Sequence, residues 1–353
     1  MKNLFDLKVP TERQHPSFLG LRDLKGASAA RELMNLVFQS YRDEDGNFLK
    51  DFQSTGFDAR TWELSLHAFF NETELDQLGT GGRVDFIVTN GNDVVGVEAT
   101  TTQPPQGVAK TQPGPGLRGI IPEDIEEGIA EFVHQLGKAL RRKVGKRSAG
   151  GRAYWETDEI ASRPFVLAVQ TFHSPSSLFH SFGYAAQYLF GQSPTAEHDT
   201  DGTLIVGAEP IAGHEWNGKI IPSGVFDTEE YTPVSAVIFS NSSSVSQFNR
   251  IGLQLGLGEP GVRIFRNGTC AKHDPNSSEP EVFTYEVGTP SAPDEEFSQA
   301  VHVFHNPNAA VPLPEGFFGR ASEHVRLPSG QILTTHHGAF VPYVSVTRVF
   351  QST

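Results

Sequence analysis

Apolar and polar positions alternate most clearly between Arg83 and Thr102, where the chain reads RVDFIVTNGNDVVGVEATTT. Val84, Phe86 and Val88 alternate along one run, and Val95, Val97 and Ala99 along the next. The intervening TNGND holds an Asn-Gly pair, so the pattern predicts a β-hairpin over 83–101. Upstream, Trp62, Leu66, Phe69 and Phe70 recur at spacings of three and four, which predicts a helix over 58–75 with Asp58 as its N-cap. Downstream, Ile125, Ile129, Phe132, Val133, Leu136, Leu140 and Val144 form one stripe of a helix over 122–146. Pro122 suits its first position, and acidic residues fill its first turn and basic ones its last, as the helix dipole prefers.

The same reading places a helix near 28–42 and another over 177–191, with strands at 163–172, 234–241, 261–268 and 300–309. The segments 192–232 and 269–299 read as loops or β-rich insertions. The Pro/Gly-rich stretch 103–119 is long for a connection, which favours a functional segment. Strands alternating with helices predict an α/β sheet. The expected organisation is a helical lead-in over 1–50, an α/β core over 51–260, and C-terminal strands and loops over 261–353 packed on the same core.

Within the hairpin, two strands that otherwise read as buried each carry a carboxylate, Asp85 and Glu98. Glu63 follows Trp62 and so lies on or beside the apolar face of its helix. Carboxylates on a buried sheet are costly unless neutralised. A hard divalent cation such as Mg²⁺ or Mn²⁺ neutralises such a set and activates water beside a phosphate. The bland reading pairs Asp85 and Glu98 with an arginine such as Arg83, or turns them to solvent.

Composition narrows the partners. The chain of 353 residues has 42 acidic and 28 basic residues, a formal charge of −14. Bulk electrostatic binding of nucleic acid or of an anionic membrane is therefore not expected. The local basic run RRKVGKR at 141–147, with Arg152, is the place where phosphates could be met, although such a run is more often a solvated helix end. Cys270 is the only cysteine, no stretch reaches about 18 apolar residues, and the N-terminus lacks a signal-like apolar core. A cytoplasmic location without membrane contact is the expectation, with a homo-oligomer or partner chain left open. The 13 histidines show no zinc-ligand spacing; His302 and His305, three apart on a strand, face opposite ways. SNSSSVSQFNRIG, after the 234–241 strand, puts small polar groups at a strand end, where open α/β sheets bind ligands or where a serine simply caps a helix.

The order WE on a helix, then VDF, then VEATT resembles the PD-(D/E)XK, restriction-endonuclease-like superfamily. More narrowly, over roughly residues 55–255 the chain is similar to divergent bacterial proteins of unsettled function that share WELSLHAFF, VDFIV, VEATT, YWE, PFVLAVQTFH and VSAVIFSNSSSVSQFNR. The resemblance implies that 51–260 is a restriction-endonuclease-like α/β core, a central mixed sheet flanked by helices, and that the protein is a metal-dependent phosphodiesterase acting on DNA, in bacterial defence or a mobile element. Glu63, Asp85 and Glu98 would then be the ligands of Mg²⁺ or Mn²⁺. One position departs from the pattern: where the superfamily has a lysine two residues after the glutamate, this chain has Thr100, which supplies no charge. Either the fold is catalytically silent and serves binding or regulation, or the cation comes from elsewhere. At about 100° per residue, Lys143 falls about 40° from the centre of the apolar stripe of the 122–146 helix, and Lys138 falls on the opposite side. Lys143 is thus the candidate for a migrated lysine; otherwise it only caps the helix end, and the missing cation is Arg83, Lys110 or nothing.

Overall fold

The 83–101 hairpin forms, with strands β2 (Phe86–Thr89) and β3 (Val94–Thr102) and the register Phe86↔Val97 and Val88↔Val95. Its turn needs glycine: Gly91 has φ of 90°, while Asn90 Oδ1 accepts the amides of Asn92 and Asp93. The computed structural model describes residues 2–79, 82–103 and 124–351. Lys110, Pro122 and all but the first residue of the 103–119 stretch lie outside the described residues.

The helices are α1 (Pro16–Asp23), α2 (Ser28–Ser40), α3 (Phe48–Phe52), α4 (Phe57–Glu72), α5 (Ile125–Val144), α6 (Phe182–Phe190) and α7 (Val245–Gln254). Besides β2 and β3, the strands are β1 (Asp76–Leu78), β4 (Phe165–Thr171), β5 (Gln192–His198), β6 (Leu204–Pro210), β7 (Gly213–Trp216), β8 (Lys219–Pro222) and β9 (Ala236–Ser240). The chain continues with β10 (Val262–Cys270), β11 (Glu281–Glu286), β12 (Val301–His305), β13 (Ser322–Arg326), β14 (Ile332–Thr335) and β15 (Pro342–Gln351).

A mixed sheet in the order β1-β2-β3-β4-β9-β12-β13-β14 forms the centre. β1, β2 and β3 are an antiparallel meander, and β3, β4 and β9 run parallel. Every residue of β4 and β9 is buried, which is why both read as unbroken apolar runs. On one face of the sheet, Phe18, Met34, Phe52, Trp62, Leu66 and Phe248 from α1–α4 and α7 pack on Val95, Val97, Val166 and Ile238. On the other, Phe132, Leu136, Leu140 and Val144 of α5 and Leu189 of α6 pack on Ile87, Phe165, Leu167 and Val169. A glycine inside α5 has a packing reason: a Cβ at Gly137 would come within 2.7 Å of the Tyr188 hydroxyl oxygen.

Several local expectations need correction. Gly56, not Asp58, occupies the N-cap position of α4; Asp58 lies in the first turn, buried, because the turn at 53–56 leads directly into the helix. α6 begins at Phe182, capped by Ser181, because Ser177 is tied to Thr171 by two hydrogen bonds that hold the preceding residues in a turn. Ile125, placed on the apolar stripe, is exposed in the first turn of α5, and Asp124 caps that helix by accepting the Glu127 amide. The strand at 261–268 does not enter the central sheet: β10 pairs with β11 and β15 in a separate three-stranded sheet. Residues 192–222 form two hairpins, β5–β6 and β7–β8. Among the described residues no helix is long and apolar enough to cross a membrane.

Candidate functional site

Asp85 and Glu98 meet because of the hairpin register. Phe86 pairs with Val97, so the next position outward puts Asp85 beside Glu98. Asp85 Oδ2 accepts the Ala99 amide at 2.7 Å, which fixes this carboxylate against β3. Glu98 sits between Val97 and Ala99, which face the α4 side, so strand alternation turns it toward α5. There Lys143, in the last turn of α5, donates to Glu98 Oε1. Lys138 is exposed on the far side of that helix.

The third carboxylate comes from α4. Glu63 Oε2 accepts from Arg60 Nη1 at 2.7 Å and from the Tyr41 hydroxyl at 3.2 Å. Arg60 also donates to Asp51 at 2.8 Å. Glu63, Asp85 and Glu98 all line one cavity of about 440 Å³, with Tyr154 and Lys146 on the α5 side. The cavity rim carries Asp43 and Asp45, and Arg60 lies within 3.8 Å of Asp45.

Burial pushes the Glu63 carboxyl up to about 7, and the charge of Asp85 adds to the shift against the opposing pull of Arg60. Glu98 is pushed up to about 7 in the same way, by burial and then by Asp85, with Lys143 opposing. Asp85 is thus the common electrostatic neighbour of both glutamates. Both glutamates are raised although each already has a cation, Arg60 or Lys143, because burial and the charge of Asp85 outweigh it. Their hard oxygen donors suit Mg²⁺ or Mn²⁺. The spacing does not already close around an ion: among the described residues, no group of three or more His, Cys, Asp or Glu side chains is arranged to hold one. Binding a cation here requires Glu63 or Glu98 to turn from its arginine or lysine partner.

The threonine run after Glu98 is accounted for by its neighbours. Thr100 Oγ1, at the position of the superfamily lysine, accepts from Arg142 Nη2 at 3.1 Å. Thr102 Oγ1 accepts the Phe172 amide and shares a hydrogen bond with His173 Nδ1. Consecutive cations of the 141–147 run therefore fold back on β3 at Glu98 and Thr100. Arg83, named above as a partner for Asp85 or Glu98, is exposed.

Sequence reasoning missed Arg60, Tyr41 and Tyr154. Arg60 was legible in principle, because residues three apart on a helix are neighbours. Nothing local signals Tyr41 or Tyr154, which reach the cavity from separate elements. The strand-end polar run is satisfied internally: Ser240 Oγ accepts the amides of Ser242 and Ser243, and Arg250 donates to Ser242 Oγ. Ser244, at the N-cap position of α7, makes no side-chain capping bond. His302 Nδ1 and His324 Nε2 lie 3.1 Å apart on one face of the sheet, away from the carboxylate cavity. Comparison of the chain with protein-family models, with curated proteins and with solved structures found no match.

Proposed function

We propose that the protein is a metal-dependent phosphodiesterase of the restriction-endonuclease-like kind, acting on DNA, with its site at Glu63, Asp85, Glu98 and Lys143. The observation that carries this reading is the contact between Lys143 and Glu98 beside Asp85. It supplies, from a helix, the ammonium that Thr100 cannot. The order of helix, three-strand meander, helix and parallel strand, formed by α4, β1–β3, α5 and β4, also supports it.

In this reading Asp85 and Glu98, with Glu63 from the other side, hold Mg²⁺ or Mn²⁺. When bound, such an ion neutralises charge on the phosphate oxygens and lowers the pKa of a coordinated water. Lys143 orients the Glu98 carboxylate and would supply the positive charge beside a metal-activated water. Arg60 and Tyr41 fix Glu63 and limit its free rotation. The test is plasmid cleavage with Mg²⁺ or Mn²⁺ by wild type, Asp85→Ala and Glu98→Ala. Equal cleavage by all three, or none by wild type, rejects the reading.

A second reading is favoured by the pairing itself. Glu63 already has Arg60 and Glu98 already has Lys143, so the same pocket describes a catalytically silent module used for binding or regulation. The two readings separate on metal binding: a silent module shows no Mn²⁺-dependent rise in melting temperature.

A further inference from the structure

His180 is 2% exposed, yet its imidazole makes no hydrogen bond among the described residues. The rings of Phe132 and Tyr184 pack on it, with centroids 5.0 and 6.5 Å away. Burial lowers His180 to about 4, so at neutral pH the ring carries one N–H donor and one lone pair, both unused. Nε2 of the nearby His173 is sealed in protein, whereas the His180 ring borders a cavity of about 400 Å³. Phe182 and Tyr343, with centroids 5.7 Å apart, form an aromatic wall of this cavity, and Ile129 of α5 and Thr269 of β10 also line it. Although the chain carries a charge of −14, no Asp, Glu, Lys or Arg lines the cavity among the described residues. It lies past the carboxyl ends of the parallel strands β4 and β9, where open α/β sheets take ligands. Asn241, the residue after β9, donates to the carbonyls of His180 at 3.0 Å and Tyr343 at 2.6 Å, so one amide fixes two of the walls. An apolar, aromatic cavity with one buried polar group is the common form of a small-molecule site.

We propose that this cavity binds a neutral, planar nitrogen heterocycle of nucleobase size, whose face lies on the Phe182–Tyr343 wall and whose edge hydrogen-bonds His180. A planar ring matches the aromatic wall. The ring nitrogen or carbonyl of a heterocycle satisfies the imidazole, which a hydrocarbon ring leaves unpaired. An ionised ligand gives up its hydration here and finds no opposite charge in return. The site is separate from the carboxylate cavity, because Ile129 and Lys143 stand about 21 Å apart along the α5 axis. It therefore does not depend on the phosphodiesterase reading.

The experiment titrates the full chain with adenosine, guanosine, cytidine and thymidine by calorimetry, in buffer containing EDTA so that no metal occupies the carboxylate cavity. Wild type, His180→Phe and Thr269→Trp are compared, and melting temperatures are recorded for each. Wild type should bind at least one of the nucleosides at a single site. His180→Phe keeps the ring packing and removes the hydrogen bond; it should weaken binding about tenfold with an unchanged or higher melting temperature. Thr269→Trp fills the cavity from β10 and should abolish binding. Adenosine 5′-monophosphate should bind no more tightly than adenosine. No binding of any nucleoside by wild type, binding by either variant equal to wild type, or binding lost only in step with melting temperature each overturns the site. Tighter binding of the monophosphate overturns the neutral class of ligand.

Discussion

The ammonium of Lys143, in the last turn of α5, contacts Oε1 of Glu98 in β3, and both side chains are largely buried, 15% and 5% exposed. Burial raises the Glu98 carboxyl and Lys143 pulls it back, so the ion pair is held in balance with the neutral acid. A pair in that state is sensitive to either partner's removal and to pH.

Lys143→Ala should abolish Mg²⁺-dependent cleavage, and Lys138→Ala should leave it at the wild-type level. Stability separates the two variants as well. Removing one member of a buried pair commonly costs about 3–5 kcal/mol, but Glu98 can take up a proton, so a loss of about 2 kcal/mol is expected at pH 8. Urea unfolding at pH 8 and pH 6 measures this, and the gap to wild type should narrow at pH 6. A gap that does not change with pH would contradict the assignment of the titrating partner.

The carboxylate pocket sets a pH dependence of its own. Glu63 and Glu98 have folded pKa values near 7, above the ordinary value of 4.5. Between 4.5 and 7 the folded state therefore holds more protons than the unfolded one. Their contribution to stability is full below 4.5 and is lost as pH rises through about 7. A cation competes with those protons, so the Mn²⁺-dependent rise in melting temperature should be larger at pH 8 than at pH 6. It should vanish in Asp85→Ala; a shift of equal size at both pH values, or one kept in Asp85→Ala, counts against a metal at these residues.

Acid should unfold the protein through its buried histidines. Burial lowers His173 to about 3, with His180 adding to the shift, and lowers His180 itself to about 4. His324 is lowered to about 3 by burial, then by His336 and His305, and His302 lies well below its usual value for the same first reason. These groups bind protons in the unfolded state from about pH 6.5 downward and not in the folded one. Their stabilising effect is full above 6.5 and is lost as pH falls toward 3, by up to about 1.4 kcal/mol per pH unit for each. Denaturant midpoints from pH 7.5 to pH 5 check this, and His324→Phe should flatten the curve.

The three-stranded sheet is fastened to the core by a buried ion cluster. Arg250 donates Nε and Nη2 to the two oxygens of Glu295 at 2.7 Å each, and Arg266 lies 3.4 Å from the same carboxylate. Arg250→Ala removes both charge-assisted bonds to Glu295, leaving that buried carboxylate with Arg266 as its remaining cation, and should cost about 3 kcal/mol in a urea titration. The exposed pair Arg263–Glu286 on the same sheet is solvent-screened, and Arg263→Ala should not move the transition measurably.

What the sequence by itself determined were the features set by neighbours along the chain. The hairpin follows from alternation and Asn90-Gly91, α5 from its stripe and its dipole-matched ends, and β4 and β9 from continuous apolar runs. The side of α5 on which Lys143 lies is also local, since it depends only on the helical repeat. Tertiary structure alone decided which end of α5 lies over Glu98, that Tyr41 reaches Glu63, that Thr100 receives Arg142, and that β10 leaves the central sheet to pair with β15. Each of these depends on how elements far apart in sequence are packed together. A carboxylate reads the same in sequence whether it faces water, an arginine or a lysine; only the packed chain sets its neighbours, and with them its charge.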